Sequence, residues 1–171
     1  VGTMKSHIAR MENYVSSMNN LQSLTDIDIQ KEDVLPSEIC ERLKESGLII
    51  CADKTLIFDD TLIRASKLNV DMGVIMRVYE NMLSNAIRFA DNRIIVTLTN
   101  DGAFSVTVSD DGQGFSDKDL LEATNPFYKS DDSENQHFGM GLNICKVLCE
   151  KHGGYIKLSN NPNGATVKAV F

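Results

Sequence analysis

Between Met72 and Ala90 the chain sets Ile75, Val78, Tyr79, Met82, Leu83, Ala86 and Ile87 at spacings of three and four. Only an α-helix gathers such a series on one face, and Asp71 stands where an N-cap belongs. A helix with so broad an apolar stripe must be covered, and the next segment has strand periodicity. Ile94 to Thr99 and Phe104 to Ser109 alternate with period two about Asn100, Asp101 and Gly102, where Asp-Gly is a strong hairpin turn. Gly141 to His152 predicts a second helix, stopped by Gly153 and Gly154, with Lys151 and His152 at the negative end of its dipole. Tyr155 to Ser159 and Ala165 to Phe171 then flank a turn built from Asn160 to Gly164. Helices interleaved with hairpins imply an α+β two-layer sandwich: a mixed, largely antiparallel sheet with helices on one face, not a doubly wound parallel fold.

Upstream of the long helix the pattern is finer. Met4, Ile8, Met11, Val15 and Met18 alternate spacings of four and three, the seam of a helix that packs against a partner helix, the alternative being a simple amphipathic helix folded onto its own domain. Asp26 to Gln30 alternates as a half-buried strand would. Pro36 and Ser37 open a helix expected to end at Gly47, with Leu48 to Cys51 and Leu56 to Phe58 as short β-like runs. The chain begins with Val1 inside what already reads as helix, so it is read as an excised piece of a longer protein. Two units follow: 1–25 as a helix and 26–171 as a globular domain.

Charge and cysteine usage exclude several function classes. Acidic residues outnumber basic ones by 24 to 17, a formal charge of -7, which repels phosphate backbones and argues against nucleic acid as a partner. No apolar run reaches the ~18 to 20 residues needed to span a bilayer, so this piece is expected to be soluble and cytoplasmic, tied to a membrane only through segments upstream of it. Cys40, Cys51, Cys145 and Cys149 form no Cys-x-x-Cys pair and His7, His137 and His152 are scattered. Reduced, buried cysteines are therefore expected, and no zinc site.

Three short patterns carry chemistry. Asn81 and Asn85 lie four apart on the long helix, so both amides leave one face, with Arg88 and Phe89 one turn on. Asp110-Asp111-Gly112-Gln113-Gly114 follows directly from the second hairpin strand. That arrangement sets a carboxylate able to accept from an exocyclic amine beside glycines that permit close approach to a planar base. Gly139-Met140-Gly141-Leu142 runs from a loop into a helix N-terminus, where free amides and the dipole can hold phosphate oxygens. Between the last two lies a polar, glycine-punctuated stretch from Gln113 to Met140, long enough to be a binding loop or lid. Any one pattern has an ordinary structural explanation: a solvated amide stripe, an Asp-Gly turn, a loop glycine. Taken in this order they describe a nucleotide site.

With these motifs in place the sequence resembles the histidine-kinase branch of the ATPase superfamily shared by gyrase, the Hsp90 chaperones and the MutL repair proteins. Glu80 to Ala86 is similar to the N box, Asp110 to Gly114 to the G1 box, Asn125 to Lys129 to the F box and Gly139 to Asn143 to the G2 box. The resemblance covers about Asp26 to Phe171 and implies the Bergerat-type ATP-binding fold, with 1–25 as the C-terminal part of a dimerisation and phosphotransfer helix. It also implies ATP and Mg²⁺ as cofactors. By that resemblance Asp110 binds the adenine amino group, and Asn85 with Asn81 supplies oxygen to Mg²⁺. Arg88 reaches the phosphates, Phe89 and Phe127 lie near the nucleotide, and Lys129 approaches the γ-phosphate. Gly112 and Gly114 allow close approach at the base, while Gly139, Gly141 and Leu142 hold the phosphate end. The implied acceptor is a histidine on the dimerisation and phosphotransfer domain of the same protein, a homodimer at full length, with a response regulator downstream.

Two departures from the family pattern stand out. Where Gly-x-Gly-x-Gly is usual, Asn143 takes the place of the third glycine, which bears on lid mobility and phosphate contacts. His7 is followed by Ile8-Ala9-Arg10 rather than by an acidic or amide residue, so it is not the phosphoacceptor, and the piece alone should autophosphorylate little. A gyrase-like ATPase is disfavoured, because its water-activating glutamate would sit at Asn81, and Glu80 is about 100° around the helix from there. A serine kinase of the anti-sigma type and a non-catalytic ATP-binding module are the remaining alternatives.

Overall fold

The structure is a computed structural model in which residues 24, 26–59, 67–128 and 139–171 are described. The heptad seam of Met4 to Met18 and most of the 1–25 unit fall outside the described residues, as do Lys129 and His137.

Seven strands and four helices follow in chain order among the described residues: β1 (Glu32–Val34), α1 (Pro36–Ile50), β2 (Thr55–Asp59), β3 (Leu68–Val70), α2 (Met72–Phe89), β4 (Arg93–Asn100), β5 (Phe104–Asp110), α3 (Asp117–Glu122), α4 (Gly141–His152), β6 (Tyr155–Asn161) and β7 (Gly164–Val170). The main sheet has the order β2-β4-β5-β7-β6. Its β2–β4 pair is parallel and the other three pairs are antiparallel, and β1 and β3 form a separate antiparallel ribbon. This is the α+β sandwich that the periodicities predict.

Alternation decides which sheet face is covered. Ile94, Val96 and Leu98 of β4, Val106 and Val108 of β5, and Val167 and Ala169 of β7 are all buried. They meet Ile75, Val78, Tyr79, Met82 and Leu83 of α2 and Cys145, Leu148 and Cys149 of α4 in one core. Of the intervening positions, Thr97, Thr99, Thr107, Ser109, Thr166 and Lys168 are polar and partly exposed, as suits an open face, while Ile95 is half-buried and Ser105 and Val170 are buried. All four cysteines are free, three of them buried, as expected. Burial pushes the Cys145 thiol well up and that of Cys149 to about 12, so both remain protonated and inert near neutral pH.

α2 is held at both ends. Asp71 Oδ1 accepts from the Val74 amide at 3.0 Å, an N-cap bond. At the other end Lys54 Nζ donates to the carbonyls of Ala90 at 2.7 Å and Asp91 at 2.8 Å, countering the negative helix terminus.

Three local expectations are corrected. No strand forms at 26–30. Ile27 and Ile29 pack against the core, which produces the alternation, but the segment is anchored by isolated bonds instead of a ladder: the Gln30 amide to Asp71 Oδ2 at 2.7 Å and Lys151 Nζ to the Ile27 carbonyl at 3.1 Å. α1 runs through Gly47 to Ile50, so Leu48 to Ile50 are helical and not β-like. Gly47 is required by a close approach: a Cβ there would overlap Tyr79 Oη and lie 2.9 Å from Leu56 Cδ2. The long polar stretch after Gln113 contains α3, nucleated by a capping box in which Ser116 and Asp119 exchange backbone and side-chain bonds.

Candidate functional site

The site is organised along one face of α2. Asn81, Asn85 and Phe89 follow one another at intervals of four residues, so their side chains line up over about 12 Å of helix. At one end of this line stands the segment after β5. The Asp110 carboxylate ends the strand half-buried, and its Oδ1 accepts from the Gly112 amide at 3.0 Å and the Ala165 amide at 3.2 Å. Burial pushes the Asp110 carboxyl above the usual range, the carboxylates of Asp111 and Asp91 add to that, and the two amide bonds oppose it. A carboxylate held this way has one oxygen fixed by backbone, while the other meets no donor among the described residues.

The glycines of this segment have a structural duty besides any ligand contact. A Cβ on Gly112 would overlap the Phe89 carbonyl oxygen at the end of α2, and a Cβ on Gly164 would overlap the Asp110 carbonyl. Gly114, at φ +80°, meets Asn160, whose Oδ1 also accepts from the Phe115 amide at 2.7 Å. Backbone thus approaches backbone on both sides of Asp110 and pins it to the end of α2.

At the other end of the line stands the start of α4. Asn81 Nδ2 donates to the Arg77 carbonyl at 2.7 Å, and its Oδ1 meets no donor among the described residues. That oxygen is 3.6 Å from where a Cβ on Gly141 would be, so the asparagine lies beside the α4 N-terminus. Asn85, between the two ends, is half-buried, and its carboxamide makes no hydrogen bond among the described residues. Arg88 and Phe89 engage each other, the guanidinium carbon 4.4 Å from the ring centroid.

Segments that share no sequence neighbourhood join at the α4 end. Gly139, at φ +66°, packs on the Phe127–Tyr128 peptide so tightly that a Cβ would overlap the Tyr128 carbonyl oxygen. Phe127 itself has φ +63°, a rare conformation for a side chain of that bulk. Leu142 is buried on the core side of α4. Asn143 has an ordinary helical position as the third residue of α4, where no glycine is needed, and its side chain is 8% exposed.

The structure therefore gathers Asp110, Gly112 and Phe89 at one end of the α2 face and Asn81 with Gly141 at the other, while Gly139 meets Phe127 near the α4 start. Sequence reasoning placed the β6–β7 hairpin turn but missed that it completes the Asp110 end. Asn161 accepts from the amides of Asn163 at 2.8 Å and Gly164 at 2.9 Å, and its Nδ2 reaches the Ala165 carbonyl at 2.9 Å and Thr166 Oγ1 at 3.0 Å. These bonds fix the Ala165 amide that holds Asp110. Some 55 residues separate the partners, and no local pattern signals the contact.

Residues 71–171 match the family model described as histidine kinase-, DNA gyrase B-, and HSP90-like ATPase. The chain belongs to this family. It is 35% identical over 89 residues to the sensor histidine kinase CpxA of Escherichia coli K12, covering 50% of this chain and 20% of that protein. To the heme sensor protein HssS of Staphylococcus saprophyticus it is 27% identical over 177 residues, 99% of this chain and 36% of the relative. The chain thus spans between a fifth and about a third of these relatives. Among solved structures, the mycobacterial sensor histidine kinase MprB superposes with a TM-score of 0.69 at 22% identity, covering 83% of this chain and 97% of that one. The likeness establishes the fold of a histidine-kinase catalytic domain.

Proposed function

We propose that residues 26–171 bind ATP with Mg²⁺ and transfer its γ-phosphoryl group to a histidine on the dimerisation domain of the same protein, to which residues 1–25 contribute helix. The observation that carries this reading is the two-ended line on α2, with an aminopurine-type acceptor at Asp110 and a phosphate-type helix start at Gly141. The Asp110 oxygen not committed to backbone would take the adenine amino group, and Phe89 would border the ring. The Asn85 carboxamide oxygen and Asn81 Oδ1 suit a hard cation that takes oxygen ligands and keeps most of its shell from phosphates and water. Mg²⁺ bound there would neutralise phosphate charge. Gly139, Gly141 and Leu142 would present backbone amides to the phosphates, with Arg88 and Lys129 adding positive charge. The domain's part is positioning and charge stabilisation for in-line attack by the histidine nitrogen.

Glu80 speaks against a water-activating ATPase. Its carboxylate accepts from Ser46 Oγ on α1 at 3.2 Å, so it faces α1 and not the row of Asn81 and Asn85. The deciding experiment mixes the chain with labelled ATP, Mg²⁺ and the dimerisation domain of its full-length protein. Acid-labile label on that domain's histidine is the expected result. Free phosphate alone would replace the reading with an ATPase, label on serine with an anti-sigma-type kinase, and binding without turnover with a non-catalytic module.

A further inference from the structure

The side chain of Asn143 is committed to one bond that neither the nucleotide motifs nor the core explains. It lies in the first turn of α4, 8% exposed, and its Nδ2 donates to the Thr124 carbonyl at 2.9 Å. Thr124 stands two residues beyond α3 and opens the segment that ends at Tyr128. That segment is already anchored at its far end, where Tyr128 Oη donates to Asp119 Oδ1 at 3.0 Å and Gly139 lies against the Tyr128 peptide. Asn143 supplies the near anchor. Together these contacts brace the start of α4 and the turn before it against the 124–128 segment.

A helix N-terminus binds an anion through the directions of its free amides, so small displacements of the first turn weaken the bonds to phosphate oxygens while leaving distant contacts alone. The adenine-facing carboxylate Asp110 is held by different partners, the amides of Gly112 and Ala165. We infer that Asn143 is a positioning residue for the triphosphate, tying the first turn of α4 to the Thr124 carbonyl so that the Gly139–Gly141 amides meet the phosphates. The inference rests on the nucleotide reading above and adds a residue that touches no part of the ligand.

The test titrates ATP–Mg²⁺ and adenosine separately into the full chain by calorimetry, for the parent sequence, Asn143→Ala and Asn143→Ser. Serine is helix-compatible and small, but its hydroxyl is too short to reach Thr124, so it serves if the alanine variant does not fold. The expected result is an ATP affinity about tenfold weaker in either variant (~1.4 kcal/mol), with adenosine affinity unchanged within about twofold. A purely structural role would lower the melting temperature and leave the ATP-to-adenosine ratio as it was, and that result overturns the inference. If Asp110→Ala weakens both ligands while Asn143→Ala weakens neither, the nucleotide reading stands and the positioning role falls. If the parent chain binds neither ligand, both fall together.

Discussion

Replacing Asp110 by asparagine separates ligand recognition from stability at the residue on which the proposed nucleotide site depends most. Asparagine has the same shape and keeps an Oδ1 acceptor for the Gly112 and Ala165 amides, which now bond at 3.0 Å and 3.2 Å. What changes is the second oxygen, which becomes an amide NH2 and would face the proposed adenine donor with another donor. Loss of one charge-assisted bond of about 1.5 to 3 kcal/mol predicts ATP binding weaker by about 10- to 150-fold. Stability should move the other way. Burial, with Asp111 and Asp91 nearby, raises the Asp110 carboxyl above its ordinary value, so its ionised form is unfavourable in the fold. That penalty is present at neutral pH and is relieved as pH falls through the raised value, above the ~4 of an unfolded aspartate. The nucleotide-free Asp110→Asn protein should therefore melt at the same or a higher temperature at pH 7, with its advantage shrinking toward pH 4. Calorimetric titration of ATP–Mg²⁺ and thermal melts from pH 4 to 8 measure both. Binding within twofold of the parent would remove Asp110 from the site, and a fall of several degrees at pH 7 would make its carboxylate a structural anchor instead.

Two further predictions concern stability. Helix propensity alone would make Gly47→Ala stabilising by about 1 kcal/mol, but the new methyl overlaps Tyr79 Oη, so a net loss of about 1 to 3 kcal/mol is expected. Tyr79 Oη is buried without a hydrogen-bond partner among the described residues, so Tyr79→Phe should be neutral or slightly stabilising and should recover at least ~1 kcal/mol of the Gly47→Ala loss in the double variant; additive denaturation energies would show that Leu56 sets the limit. His152 Nε2 accepts from the Asp71 amide at 3.0 Å, and burial, then Lys31, lower its pKa while Asp71 opposes them. The stabilisation from neutral His152 is present above the unfolded value of ~6.5 and is lost as pH falls through the lowered folded value. His152→Gln, which keeps an acceptor without titrating, should flatten the melting-temperature profile as pH falls below the unfolded value of ~6.5, and an unchanged profile would exclude His152 as the source.

Local periodicity was enough to predict α2, both hairpins and the start and stop of α4, because each depends on neighbours within about four residues. The Asn81 and Asn85 pair, Asp110 and the Gly139 to Gly141 turn were legible for the same reason, as motifs carried on single elements. The expected end of α1 at Gly47 was wrong because a glycine that stops a helix and one that makes room for a tyrosine 32 positions away look alike in one dimension. Asp26 to Gln30 alternates like a strand because one side faces the core, yet strand pairing requires a partner at the right distance, and β1 finds its partner in β3 instead. Residue type at short spacing was enough for most of the elements and for the motifs carried on them. Three contacts had to wait for the folded core: the Phe89 carbonyl against Gly112, the Ala165 amide on Asp110 and the Asn143 side chain on Thr124. Such contacts are short in space and long in sequence, and they exist only after the core between α2, α4 and the sheet has drawn their backbones together.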